Sequence, residues 1–167
     1  MTSTPNIIEQ SEVNSTQGPS TGALKKIYGV EDIPSLMQLI RKQGATEDEV
    51  LNAVSGFRKI LSVEHDPPVT AILECGIMPI LVQLLSADGS EKSEKIQFEA
   101  AWALTNVAST DQTQAVVSYG ALEPLVKMLM SGNADCRDQA VWCLGNIAGD
   151  SFSLRDTVLE NGALPAL

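Results

Sequence analysis

The sequence predicts an all-α solenoid, in which one helical unit repeats and each copy packs mainly on its neighbours. Two repeated phrases and the composition carry that prediction. The first phrase reads Ala100-Ala101-Trp102-Ala103-Leu104-Thr105-Asn106-Val107-Ala108 and returns as Ala140-Val141-Trp142-Cys143-Leu144-Gly145-Asn146-Ile147-Ala148, 40 residues later. The second opens on Gly76-Ile77-Met78-Pro79, Gly120-Ala121-Leu122-Glu123-Pro124 and Gly162-Ala163-Leu164-Pro165, at spacings of 44 and 42 residues. A period of roughly 40 to 47 residues with helical composition marks a helical repeat array. Aromatics make up only 4% of the chain against 44% hydrophobic residues, so the core must come from Ala, Val, Leu and Ile. Closely stacked helices suit those side chains better than a β-sandwich.

The elements follow in order. Residues 1–29 are dominated by Ser, Thr, Asn, Gln, Pro and Gly and read as a disordered tail. Ile33, Leu36, Met37 and Ile40 then repeat at the spacing of one helical face, with Gly44 as the stop. Thr46-Glu47-Asp48-Glu49 has the form of a capped N-terminus, followed by a stripe of Val50, Leu51, Val54, Phe57, Ile60 and Leu61. Asp66-Pro67-Pro68 breaks the chain, because proline disfavours helix at the preceding residue. Val69, Ile72 and Leu73 make a short helix, and Pro79 is tolerated in the first turn of the next. Ala87 to Lys95 reads as a loop and Ile96 to Ser109 as a long helix. Short helices around Val116 and over Leu122–Met130, a long one over about 135–148 and a short one over Leu154–Leu159 complete the series. Short, longer, longest is the three-helix plan of an armadillo repeat. The expected fold is therefore an armadillo-repeat right-handed superhelical solenoid. Its repeats fall at about 30–75, 76–119 and 120–161, with a further one starting at 162–167; the chain reads as a fragment or truncated isoform.

The chain carries 21 acids against 11 bases, a net charge of −10, and residues 1–30 net to zero. An acidic folded part repels nucleic acid and anionic membranes, so neither is expected as a partner, and a basic partner is. Cys75, Cys136 and Cys143 form no C-x-x-C pair and the chain has one histidine, so no metal or cofactor is expected. With no nucleophile–base set and no phosphate-cradling loop, an enzyme is not expected either.

Within each repeated phrase, Trp and Asn stand four apart and so share one helix face. Trp102 with Asn106, and Trp142 with Asn146, would form a ladder across adjacent repeats. The stem of a Lys or Arg can pack on an indole, with a cation–π term of about 0.5–2 kcal/mol. An Asn amide offers both donor and acceptor for a ligand backbone. A tryptophan on an apolar helix is more often core. Here Phe98, Ala101, Leu104, Val107 and Ala108 already supply a buried stripe, and a polar Asn beside the Trp argues that this second stripe is not core.

The segments Gln97–Asn106 and Gln139–Asp150 resemble the signature helices of the importin α (karyopherin α) family, and the likeness extends over about residues 30–167. The resemblance implies a nuclear import adaptor whose groove binds the Lys/Arg-rich nuclear localisation signals of cargo, shuttling between cytoplasm and nucleus. It also implies the contacts: Trp102, Asn106, Trp142 and Asn146 as the ladder, and Asp150 as the acid for the deepest signal lysine. Thr113 would help hold the same ammonium, and Ser109 and Gln139 would be further contacts. Several features depart from the family pattern. The stretch between Ser109 and Thr113 is about two residues short and lacks the usual glycine. In the first repeat, Ser55 and Lys59 stand where Trp and Asn would be. Lys25 and Lys26 are the only bases in residues 1–30, so the Arg/Lys-rich importin-β-binding segment is not seen and importin β is not an expected partner. The alternatives are a catenin-like armadillo scaffold, which the acidic charge disfavours, and a fragment without function of its own.

Overall fold

The computed structural model describes residues 26–87 and 89–166. These form a 3-10 turn, Val30–Asp32, followed by helices α1 (Ile33–Ile40), α2 (Glu47–Leu61), α3 (Val69–Glu74), α4 (Met78–Leu84), α5 (Glu91–Ala108), α6 (Thr113–Ser118), α7 (Leu122–Met128), α8 (Ala134–Asp150), α9 (Phe152–Glu160) and α10 (Ala163–Ala166). No strand occurs among the described residues. The long helices α2, α5 and α8 stack side by side, and α1, α4 and α7 pack against them in the same order. The architecture is the all-α armadillo solenoid that the sequence predicts.

Local chemistry explains several of the boundaries. Thr46 caps α2, accepting from the Glu49 amide while the Glu49 carboxylate takes the Thr46 amide at 2.9 Å. Pro79 falls in the first turn of α4. The recurring glycines are a backbone requirement: Gly76, Gly120 and Gly162 hold φ of +76°, +83° and +83°, a left-handed conformation in which a Cβ is strained. That turn is what lets a short helix end and the next one start.

One continuous core runs through the stack. Phe57, Ile60, Ile72, Ile77, Leu81, Leu104, Leu125 and Ile147 are buried. Ala100, Ala101, Ala103 and Ala140 are fully buried, and their small volume lets the long helices lie close. Gly56 serves the same end, since a Cβ there would meet Leu36 at 2.7 Å and Tyr28 at 3.1 Å.

Three expectations are corrected. The loop read over Ala87–Lys95 ends at Ser90, and α5 begins five residues earlier than expected. The Ser90 hydroxyl accepts from the Ser93 amide at 2.9 Å, and Ser93 is buried and donates to Glu47 of α2 at 2.9 Å. Polar residues in a first turn satisfied from a neighbouring repeat look like loop in sequence. Secondly, the disordered tail read over 1–29 falls, up to residue 25, outside the described residues, but within Lys26–Gly29 the Tyr28 ring lies on α2, its hydroxyl donating to Asn52 at 2.9 Å. Finally, Phe98 is half-buried rather than core; its ring meets Trp102 edge-on at 5.6 Å.

Candidate peptide-binding groove

One edge of the long helices carries Trp102, Asn106, Trp142, Asn146 and Asp150, and each asparagine of the ladder is tied to the helix or loop before it. Asn106 of α5 donates from Nδ2 to the Ser62 hydroxyl at 3.0 Å. Asn146 of α8 donates to the Thr105 carbonyl at 3.3 Å. Among the described residues neither amide oxygen has a partner, so each remains an acceptor for a ligand N–H. The side chains are fixed from behind and open in front.

Trp102 is half-buried. The Arg58 guanidinium of α2 lies 4.3 Å from its ring centre and is held there by a bidentate pair to Glu99, at 2.7 and 3.2 Å. A depression of about 420 Å³ opens beside it, lined by Ser62, Glu64, Pro67, Trp102, Asn106 and Ser109, among others. The exposed Ser109 hydroxyl donates to the Asn106 carbonyl at 2.8 Å, closing the end of α5.

Trp142 is 68% exposed, and a second depression of about 420 Å³ sits against it. Phe98, Val141 and Trp142 form its apolar wall, with Asp135 and Asp138 at the rim and Gln139 beneath. Rings edged by carboxylates suit a cation on an aliphatic stem. Asp150 is exposed as the last residue of α8, directly before Ser151, the N-cap of α9, and no cation pairs with it among the described residues.

Two expected contacts are not presented to a ligand. Thr113 is 1% exposed, and its hydroxyl sits between the Ala108 and Thr110 carbonyls at 3.0 and 2.8 Å. Gln139 is 5% exposed and donates to the Thr105 hydroxyl at 2.7 Å. Both are buried and hydrogen-bonded within the stack. Sequence reasoning missed Thr105, which bonds back to the Ala101 carbonyl at 2.8 Å while receiving Gln139 and Asn146 from the next repeat. It also missed Arg58 and Phe98. For Thr105 the available signal was a hydroxyl inside an otherwise apolar stripe.

The three thiols are free. Burial pushes Cys143 up to about 12 and Cys136 to about 11, leaving both protonated packing residues. No cluster of His, Cys, Asp or Glu among the described residues could hold a metal, and no described helix is long and apolar enough to cross a membrane.

The model of the Armadillo/beta-catenin-like repeat family matches residues 65–109 and 109–149, each span running from a short helix to the end of a long one. The chain belongs to the armadillo-repeat family. Its curated relatives include importin subunit alpha-1b of Oryza sativa subsp. japonica, 42% identical over 81% of this chain and 25% of its own length. Importin subunit alpha-2 of Arabidopsis thaliana is 47% identical over 68% of this chain and 21% of its own length. The importin α resemblance read in the sequence is thus borne out, and the chain spans about a quarter of the length of these relatives. Among solved armadillo structures, a computationally designed repeat protein for modular peptide recognition superposes with a TM-score of 0.71 at 31% identity, covering 80% of this chain and 54% of the other. A second designed protein, solved in complex with the peptide (KR)4, gives 0.69 at 32% identity, covering 83% and 59%.

Proposed function

We propose that this armadillo stack is a nuclear import adaptor module that binds Lys/Arg-rich nuclear localisation signals of cargo proteins, without catalysis. The observation that carries the reading is the open face of Trp142, edged by Asp135 and Asp138, on the same helix as Asn146 and Asp150. The indole packs a Lys or Arg stem, the carboxylates neutralise its head, and the Asn146 amide holds the ligand backbone. The similarity to importin α subunits and to a designed armadillo protein that binds (KR)4 supports the same ligand chemistry. A module of this kind would shuttle between cytoplasm and nucleus with its cargo.

Titration of the purified chain with a fluorescent Lys-rich peptide, against a scrambled acidic control, tests the proposal. Saturable binding of the basic peptide alone is expected, and Asp150→Lys should weaken it tenfold or more by placing a like charge at the cation site. Equal binding of both peptides, or an unchanged affinity for the variant, would sink the reading.

A further inference from the structure

The exposed edge changes polarity along the stack. At the positions where α5 and α8 carry Trp102 with Asn106 and Trp142 with Asn146, α2 carries Ser55 and Lys59. The missing ring is supplied from outside the helix. Tyr28 lies on α2 with its hydroxyl on Asn52, and the Lys59 ammonium stands 5.2 Å from its ring centre. Lys26 approaches the same ring at 4.6 Å, but its charge is answered by Asp32 at 3.0 Å. Lys59 is exposed, and no described carboxylate lies within ion-pair distance of it. One helix further on, Arg58 already fills a face of Trp102 and is neutralised by Glu99. Only at α8 does an indole stand open among acids.

From α2 to α8 the edge therefore presents an unanswered ammonium, then an indole filled from within, then an open indole edged by carboxylates. We propose that the groove takes a peptide of divided charge: Lys or Arg on Trp142, and a carboxylate side chain paired with Lys59. This rests on the basic-peptide reading and adds a second, opposite requirement to it. Neighbouring packed helices lie about 8–10 Å apart, and an extended chain advances about 3.3 Å per residue. Two helix steps put the acid about five or six residues from the anchoring base. A second basic cluster placed there would meet like charge.

The test uses one Lys/Arg core peptide carrying three Glu, three Gln or three Lys at either flank, titrated at low salt against the wild-type chain and Lys59→Glu. On one flank the Glu peptide should bind about three- to tenfold tighter than the Gln peptide, as expected for a few exposed charge pairs, and the Lys peptide weaker. Lys59→Glu should reverse that order. Equal affinities for Glu and Gln on both flanks, or an order that survives Lys59→Glu, would overturn the inference while the core still binds. Failure of the Gln-flanked core itself to bind would instead bring down the basic-peptide reading, and this one with it.

Discussion

The two tryptophan rungs are near-copies in sequence, yet they differ in what stands behind them. Arg58 on α2 and Thr105 on α5 occupy equivalent positions, as do Glu99 on α5 and Gln139 on α8. At the first rung these pairs make the Arg58–Glu99 ion pair, and the long arginine reaches over the face of Trp102. At the second they make the Thr105–Gln139 hydrogen bond, 2.7 Å and buried, and threonine is too short to reach Trp142. One position thus decides whether an indole is filled from within or left open. Identical Trp-x-x-x-Asn phrases need not be identical subsites.

Breaking each pair sharpens the contrast. Glu99→Ala leaves a guanidinium in a half-buried setting, with both partners' side chains 16% exposed. It should lower stability by about 2 kcal/mol, less than for a fully buried pair. Thr105→Val removes a neutral acceptor from Gln139 and should cost about 1 kcal/mol. Urea midpoints at constant slope measure both. A larger loss for Thr105→Val would mean that the neutral tie, not the ion pair, holds the stack.

A smaller effect separates binding from folding at the second rung. Asp150 places a negative charge between the carbonyl end of α8 and the amino end of α9; the two dipole effects, each about 0.3–1 kcal/mol, oppose, so Asp150→Asn should leave stability nearly unchanged. The same substitution should weaken basic-peptide binding. A variant that is both less stable and weaker in binding would show that Asp150 holds structure rather than ligand.

The fold was legible because its signals are local and repeated. The glycines at Gly76, Gly120 and Gly162 mark left-handed turns, and the Thr46–Glu49 capping box marks the start of α2. The start of α5 was not legible, because Ser93 is buried only through its bond to Glu47, 46 residues away in the preceding repeat. The ladder residues were readable from spacing, but their occupancy was not. Arg58 over Trp102, Tyr28 on α2, and the burial of Thr113 and Gln139 all depend on contacts between segments. Helical periodicity reports which face a residue is on, and the neighbouring repeat decides what that face meets.

The central claim is that Trp142, not Trp102, is the open cation subsite. Trp102 and Trp142 are the only tryptophans, so Trp102→Phe and Trp142→Phe each leave a single indole to report. Fluorescence of the two variants during titration with a Lys-rich peptide tests the claim directly. In Trp102→Phe the remaining Trp142 emission should shift and saturate with near wild-type affinity. In Trp142→Phe the remaining Trp102 signal should change little, and affinity should fall about tenfold or more, as for an anchor residue. A saturating response from Trp102 alone, with Trp142 silent, would contradict the account.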